Sequence, residues 1–229
     1  MTWSHCLNVL NRRFAGEVRV GDDWFRSASW TDDAAEEFER RLARARRSSR
    51  PQYLRIQAVT LLDGSESDRG AAIGLLERLL RDYPDSLEVA FAHELLARAH
   101  RRAGRLREAA AHLRDCVELA PANYSMTSGV PELSLAEVLV EQGGSENIEE
   151  AVAILSGEDL QNRMRWQDDW FRWYALAAEL APEEADRRKW AHEALELLDA
   201  PPQLTHKPEV GRPRPDEAAV NRLRRLVRG

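Results

Sequence analysis

Histidine and carboxylate side chains are the residues of this chain that could do metal or acid–base chemistry. Two His-Glu pairs occur, at His93-Glu94 and His192-Glu193. A zinc-protease helix needs a second histidine four residues after the first, and neither pair has one. Asp168-Asp169 could ligate a cation, but acidic residues near the start of a helix are also favoured by the helix dipole. These spacings predict no metal site.

The residue sets of covalent and phosphoryl-transfer chemistry are absent from the sequence. It contains no glycine-rich phosphate loop and no Gly-x-Ser-x-Gly elbow. Cys6 and Cys116 lie too far apart for a zinc-binding pair, and two cysteines do not make a disulfide framework. No nucleophile, base and orienting group stand out together. We therefore expect a chain that is not an enzyme, with no catalytic residues, no metal and no cofactor.

Composition favours a helical protein. The 229 residues are 43% hydrophobic, and alanine, leucine, glutamate and arginine dominate the periodic segments. A net charge of −6 opposes bulk attraction to nucleic acid. Lysine occurs only at 189 and 207, so arginine carries nearly all the positive charge, which indicates a GC-rich bacterial coding sequence. With no secretory pattern at the start and no apolar run of about 18 residues, we expect a cytoplasmic location and no membrane span.

The clearest helical pattern runs from Ala90 to Pro121. Apolar residues recur at helical spacing in two stripes, one before and one after Gly104. Glycine at that point is typical of a left-handed residue that ends one helix and turns the chain. Pro121 is expected to stop the second helix. The pattern predicts a helical hairpin of about 34 residues.

This hairpin resembles a tetratricopeptide repeat, most clearly over residues 87–121 and more loosely over 51–198. The residues at the family's motif positions are His93, Leu96, Ala97, His100, Gly104, Ala109, Leu113, Cys116 and Pro121. The two histidines replace the usual aromatic residues. The resemblance implies an all-α fold, a right-handed α-solenoid of about four antiparallel helical hairpins with an N-terminal segment and a C-terminal helix.

The same resemblance implies a binding groove. In the family the first helices of stacked hairpins line a concave surface. The corresponding positions here are Arg55, Phe91, Glu94, Arg98 and Arg101. Arginines at such positions could hold a carboxylate by paired hydrogen bonds, although the Lys and Asn set of the family's carboxylate clamp is not reproduced. The alternative is a solvated helix face.

Several segments flank or interrupt this pattern. Residues 1–198 are predicted to form one helical-repeat domain, with 1–30 as its N-terminal cap segment and a short helix within 2–14. Aromatic residues at 24, 25 and 30 are expected to plug the end of the core, the alternative being a ligand-stacking role. The sequence DGSESDRG (63–70) predicts a polar loop.

The last part of the chain changes character. Residues 199–215 form a proline-rich linker that cannot be helical, and 216–229 form a basic amphipathic helix capped by Asp216. Such a helix can dock on its own solenoid, bind a partner or lie on an anionic membrane. We favour self-docking, because the exposed end of a solenoid needs a cover.

Together these features predict a protein–protein interaction scaffold. A partner protein or peptide would bind in the groove, under regulation by the C-terminal helix. The alternative is a nucleic-acid-associated protein, which the acidic total disfavours. It would use arginine patches between 40 and 50 and in the C-terminal tail, with bases stacking on tryptophan side chains such as those at 166, 170 and 173. The sequence leaves homodimerisation open.

Overall fold

The computed structural model describes residues 23–120 and 127–228. Their regular structure is entirely helical, without a strand. The all-α prediction is therefore confirmed for the described residues. The helices, numbered in chain order, are α1 (Asp32–Arg44), α2 (Arg50–Leu61), α3 (Glu66–Asp82), α4 (Val89–Arg102), α5 (Leu106–Leu119), α6 (Pro131–Gln142), α7 (Ser145–Leu155), α8 (Glu158–Arg163), α9 (Gln167–Leu180), α10 (Glu184–Asp199) and α11 (Glu217–Arg228). The helix predicted within 2–14 lies outside the described residues.

The chain divides into two compact units. The N-terminal unit comprises the described residues up to 131, and the C-terminal unit those from 132 to 228. In the N-terminal unit α2 packs against α3, α3 against α4 and α4 against α5. In the C-terminal unit α9 packs against α10 and α10 against α11. Within each unit, these helices that follow one another along the chain are thus also neighbours in space.

Residues 23–30 pack onto the helices of the N-terminal unit. Trp24 contacts the rings of Phe38 and Tyr53, with centroids 5.3 and 5.0 Å apart. The buried Gln57 side chain accepts a hydrogen bond from the Ser27 amide at 2.9 Å and donates one to the Ser27 carbonyl at 2.8 Å. Because its amide is satisfied, this fully buried polar side chain is tolerated. The packing favours the core-plugging interpretation of the aromatic residues.

The segment predicted as a loop over 63–70 is mostly helix, so that prediction is wrong. Helix α3 begins at Glu66, with Ser65 as its N-cap. The Ser65 hydroxyl accepts a hydrogen bond from the Asp68 amide, and the Asp68 carboxylate accepts one from the Ser65 amide. This reciprocal pair is a capping box, which satisfies two amides that a helix start otherwise leaves free. The polar residues that suggested a loop include the residues that cap the start of α3.

Replacing Ser65 by alanine should lower the free energy of unfolding by about 1 kcal/mol, because the Asp68 amide loses its acceptor. Urea unfolding followed by circular dichroism measures the change. Ser67→Ala is the matched control, since Ser67 is exposed in the first turn of the same helix. We expect the control to stay within about 0.5 kcal/mol of the native protein. Equal effects of the two substitutions would contradict the capping role.

Helices α4 and α5 form the predicted hairpin. Gly104 adopts the left-handed conformation with φ of 72°, and the Arg105 amide donates to the His100 carbonyl at 2.9 Å. These contacts close the C-terminus of α4. The small residues Ala97 and Ala109 are almost fully buried, as expected where two helices approach closely.

In the C-terminal unit α11 docks on its own chain. Leu223 of α11 is buried with Phe171 of α9 and with Ala191 and Ala194 of α10. Of the three arrangements considered for this helix, the contacts are those of self-docking. The Asp216 side chain accepts from the Ala219 amide at 2.7 Å, so the predicted cap is present.

The proline-rich segment before α11 carries no helix over 200–216. It folds back on the start of α9, where the Asp168 amide donates to the Gly211 carbonyl at 2.8 Å. The Gln203 side chain accepts from the Gln167 amide at 2.8 Å. The segment is therefore fixed by hydrogen bonds to its own unit. No helix within the described ranges is both long enough and apolar enough to cross a bilayer.

Candidate functional site

The residues assigned to a groove share one face of α4. Positions 91, 94, 98 and 101 follow the helical repeat, so their side chains leave α4 on the same side. Phe91 is 7% exposed, and Arg55 of α2 is 6% exposed. The Arg55 guanidinium lies 5.1 Å from the centre of the Phe91 ring and forms an ion pair with Glu88. Arg55 and Phe91 are therefore the buried base of this face.

Glu94 and Arg98 follow Phe91 along the same face of α4, about one and two turns further on. The Glu94 carboxylate accepts a hydrogen bond from the Ser128 amide at 2.9 Å. Arg98 is mostly buried, and burial lowers the pKa of its guanidinium, while the Asp63 and Glu94 carboxylates oppose the shift. Arg98 Nε and Nη1 are buried and make no hydrogen bond among the described residues. Arg98 thus carries a positive charge with two buried nitrogens that make no hydrogen bond.

Arg101 and Arg102 lie at the C-terminal end of α4, next to this face. Arg101 is partly exposed near the last residue of α4. Arg102 donates to the Asp63 carboxylate at 2.8 Å and to the Leu62 carbonyl at 3.1 Å, which ties α4 to the end of α2. Sequence reasoning missed Glu88, Asp63 and Arg102 as members of this charged surface. Glu88 was detectable, because it precedes Phe91 by three residues and so shares its face.

A different side of α4 carries a histidine cluster that contacts α5. Nδ1 of His93 lies 3.1 Å from Nδ1 of His112 and 3.4 Å from Oδ2 of Asp115. The His100 ring stacks on the His112 ring, with centroids 5.3 Å apart. These groups could hold a metal ion, since His93, His112 and Asp115 each offer one ligand atom and the three atoms lie within 4.8 Å of one another.

Burial affects the protonation of the rings of this cluster. Burial is the main cause that lowers the pKa of His93, His100 and His112 below the ordinary histidine value. The Asp115 carboxylate opposes this shift for His93 and His112. Burial of the three imidazoles therefore favours their neutral form over the charged form.

Sequence reasoning placed His93 and His100 at motif positions of the repeat and overlooked the partners on α5. A signal was present in the spacing around the turn. His93 stands eleven residues before Gly104, and Asp115 stands eleven residues after it. Residues equally distant from a tight turn face each other in an antiparallel hairpin. His112 precedes Asp115 by three residues and so lies on the same side of α5.

Three of the arginines on which the nucleic-acid alternative depends have contacts within the chain. Arg40 and Arg41 both pair with Glu37 of the same helix. Arg50 donates to the carbonyls of Ala43 and Ala45, at 2.8 and 3.1 Å. Arginines with acceptors in their own chain contribute less to a phosphate-binding surface.

The tryptophan stripe of α9 packs on itself and on α10. The Trp173 ring meets Trp190 edge to face at 5.4 Å, and Tyr174 stacks on Trp190 at 5.7 Å. Trp173 Nε1 donates to the Leu155 carbonyl at 3.1 Å. Aromatic residues at helical spacing are thus used here to pack helices together, as large amphipathic rings commonly are.

No protein-family model matches the chain, and no curated protein is significantly similar to it in sequence. The functional interpretation therefore depends on the contacts described above.

Proposed function

We propose that this chain is a helical-repeat interaction module of the tetratricopeptide type, which binds an acidic peptide segment of a partner protein at Arg98. The observation that carries the proposal is the buried guanidinium of Arg98, whose Nε and Nη1 make no hydrogen bond among the described residues. The right-handed solenoid and the bacterial, cytoplasmic setting expected from the sequence belong to the same proposal.

The α4–α5 hairpin supports the repeat assignment. The residues at the family's core positions Leu96, Ala97, Ala109, Leu113 and Cys116 are all buried. In this motif the small and large core residues lie between α4 and α5. Such packing is what the family's pattern leads one to expect, so it supports the proposal. Helices from α2 to α5 also pack in chain order, as a stack of hairpins does.

Arg98 is suited to bind a carboxylate. Leaving a buried charged donor without an acceptor costs free energy, about 1–3 kcal/mol or more. A carboxylate can accept two parallel hydrogen bonds from one guanidinium, in the charge-assisted geometry that is strongest in proteins. Phe91 lies at the base of the same face, where it is buried against the Arg55 guanidinium. An acidic side chain or a C-terminal carboxylate therefore fits the face best.

Selection of peptides on the full chain tests this proposal. Random peptides displayed with free C-termini and with blocked C-termini would be panned against the native protein. We expect enrichment of Asp or Glu, or of free C-termini, and affinity for Arg98→Met at least about tenfold weaker than for the native protein. Arg107→Met is the control, because Arg107 is exposed on α5. Binding that survives Arg98→Met unchanged would contradict the proposal.

Stability gives an independent result for the same variant. Methionine has a volume close to that of the arginine stem and no buried donor. Arg98→Met should therefore raise the free energy of unfolding by about 1 kcal/mol while it weakens binding. Urea unfolding measures this change. A destabilised Arg98→Met protein would indicate that the guanidinium has a structural role.

Regulation by α11 remains a further part of the proposal. The apolar residues Leu223 and Leu226 of α11 pack against α9 and α10, while the arginines at 222, 224 and 225 are exposed. Release of α11 would make an amphipathic basic helix available, which could compete with the partner or bind it. Peptide affinity of a chain truncated after Leu198, compared with the full chain, measures this effect.

A further inference from the structure

We propose that His93, His112 and Asp115 form a binding site for one divalent transition-metal ion of the zinc class, held between α4 and α5. This site goes beyond peptide binding, since it uses other residues on another side of α4.

Two of the three distances between the ligand atoms match a tetrahedral ion. Zinc lies about 2.0–2.1 Å from an imidazole nitrogen and about 2.0–2.2 Å from a carboxylate oxygen. Such bonds separate neighbouring ligand atoms of a tetrahedron by roughly 3.3–3.5 Å. The two Nδ1 atoms are 3.1 Å apart, and Asp115 Oδ2 lies 3.4 Å from His93 Nδ1. Small side-chain rotations therefore suffice for coordination.

The ligand types select the metal. Two imidazole nitrogens and one carboxylate oxygen suit zinc and its transition-metal neighbours. Magnesium and calcium prefer sites made wholly of oxygen ligands. Three protein ligands leave one tetrahedral position for a water molecule or a ligand from a partner. The site is thus a His₂Asp site with an open fourth position.

The hairpin holds the ligands in place before any ion binds. The His93 side chain is only 14% exposed, whereas Asp115 is 55% exposed and forms the solvent side of the site. The His100 ring stacks on His112 and limits its rotation. Nδ1 of His100 in turn accepts a hydrogen bond from Arg105 Nε at 2.9 Å. An ion can therefore enter past Asp115 and meet two oriented imidazoles.

A bound ion would join the two helices of the hairpin. It binds the folded hairpin and has no comparable site in the unfolded chain, so it should stabilise the fold by mass action. At a free zinc concentration about 100 times the dissociation constant, we expect the Tm of the N-terminal unit to rise by about 10–15 °C.

Two measurements on the full chain test the site. Protein without a histidine tag would be treated with a chelator, dialysed and titrated with zinc in a calorimeter. We expect one zinc ion per chain. Titration with cobalt should give the intense visible absorption of a tetrahedral site, and zinc should displace the cobalt. Absence of one-to-one binding in the native protein would overturn the proposal.

Variants assign the ligands. His112→Gln and Asp115→Asn should each weaken zinc binding by at least about tenfold, and circular dichroism of the metal-free proteins should match the native spectrum. His192→Gln is the control, because His192 is an exposed histidine that lies 3.2 Å from the carboxylate of Glu196. Full binding by Asp115→Asn and His112→Gln, or loss of binding in the His192 control, would overturn the assignment.

Discussion

Replacing Gly211 by alanine is expected to destabilise the C-terminal unit by about 2–5 kcal/mol. Gly211 has φ of 73°, which costs an L-residue about 1–2 kcal/mol. A Cβ atom there would also lie 2.4 Å from Cε3 and 3.1 Å from Cβ of Trp166. Since the whole tryptophan side chain would have to move, the clash adds about 1–3 kcal/mol. Urea unfolding followed by tryptophan fluorescence measures the loss.

Gly104→Ala is the matched control for this prediction. Gly104 has nearly the same φ, 72°, but an added Cβ would meet no atom within 4 Å. We expect it to cost its own unit only the conformational penalty, about 1–2 kcal/mol. Adding Trp166→Ala to Gly211→Ala should remove the clash with the indole ring and leave only the longer contact with Cβ of residue 166, so the two substitutions should be non-additive. Equal losses for the two glycine variants, or additivity with Trp166→Ala, would contradict close packing of Gly211 against Trp166.

Asp168→Asn should stabilise the C-terminal unit at neutral pH by about 2–3 kcal/mol. Burial raises the pKa of Asp168 to about 6. The neighbouring carboxylates of Asp169 and Glu137 add to the shift, while Arg172 and Arg214 oppose it. The native state therefore carries a charge that burial disfavours, and the amide removes this charge while keeping the shape of the side chain.

The pH dependence of this effect has a definite sign. The folded pKa of Asp168 is about 6 and its ordinary value is 3.8, so the folded state binds the proton more tightly than the unfolded state. This group therefore lowers stability as pH rises from about 4 to about 6, and its penalty stays constant at higher pH.

The advantage of Asp168→Asn should accordingly be near zero at about pH 4 and largest above about pH 6.5. Urea unfolding at several pH values measures it. Asp199→Asn is the control, because Asp199 is exposed at the end of α10, and it should change stability by less than about 0.5 kcal/mol at any pH. An advantage that is independent of pH would contradict a buried, titrating Asp168.

Local signals in the sequence predicted the helices, because helix formation depends on residues that lie within a few positions of one another. Apolar periodicity located α4 and α5, and the conformational freedom of glycine located the turn at Gly104. The capping box of α3 was missed because serine and aspartate serve equally in loops and at helix starts. Which role they take depends on the following helix, whose buried leucines lie about two to four turns further on.

The candidate sites were less predictable, because each depends on two helices. A helical face can be derived from spacing, and this placed Glu94 and Arg98 together. The pairing of Arg55 with Glu88, and that of His93 with Asp115, depends on how neighbouring helices align. The burial of Arg98 likewise depends on how the helices pack, so it could not be predicted from the spacing of charged residues in the sequence. Tertiary contacts therefore decided which polar residues are partnered and which are available.

A double-mutant cycle between Arg98 and the acidic residue of a selected peptide tests the central claim most directly. Affinities would be measured for the native chain and Arg98→Met, each with the acidic peptide and with its Asn or Gln counterpart. A charge-assisted hydrogen bond between the two groups predicts a coupling free energy of about 1.5–3 kcal/mol. Additive losses, with a coupling near zero, would show that Arg98 does not bind the carboxylate and would contradict the proposed function.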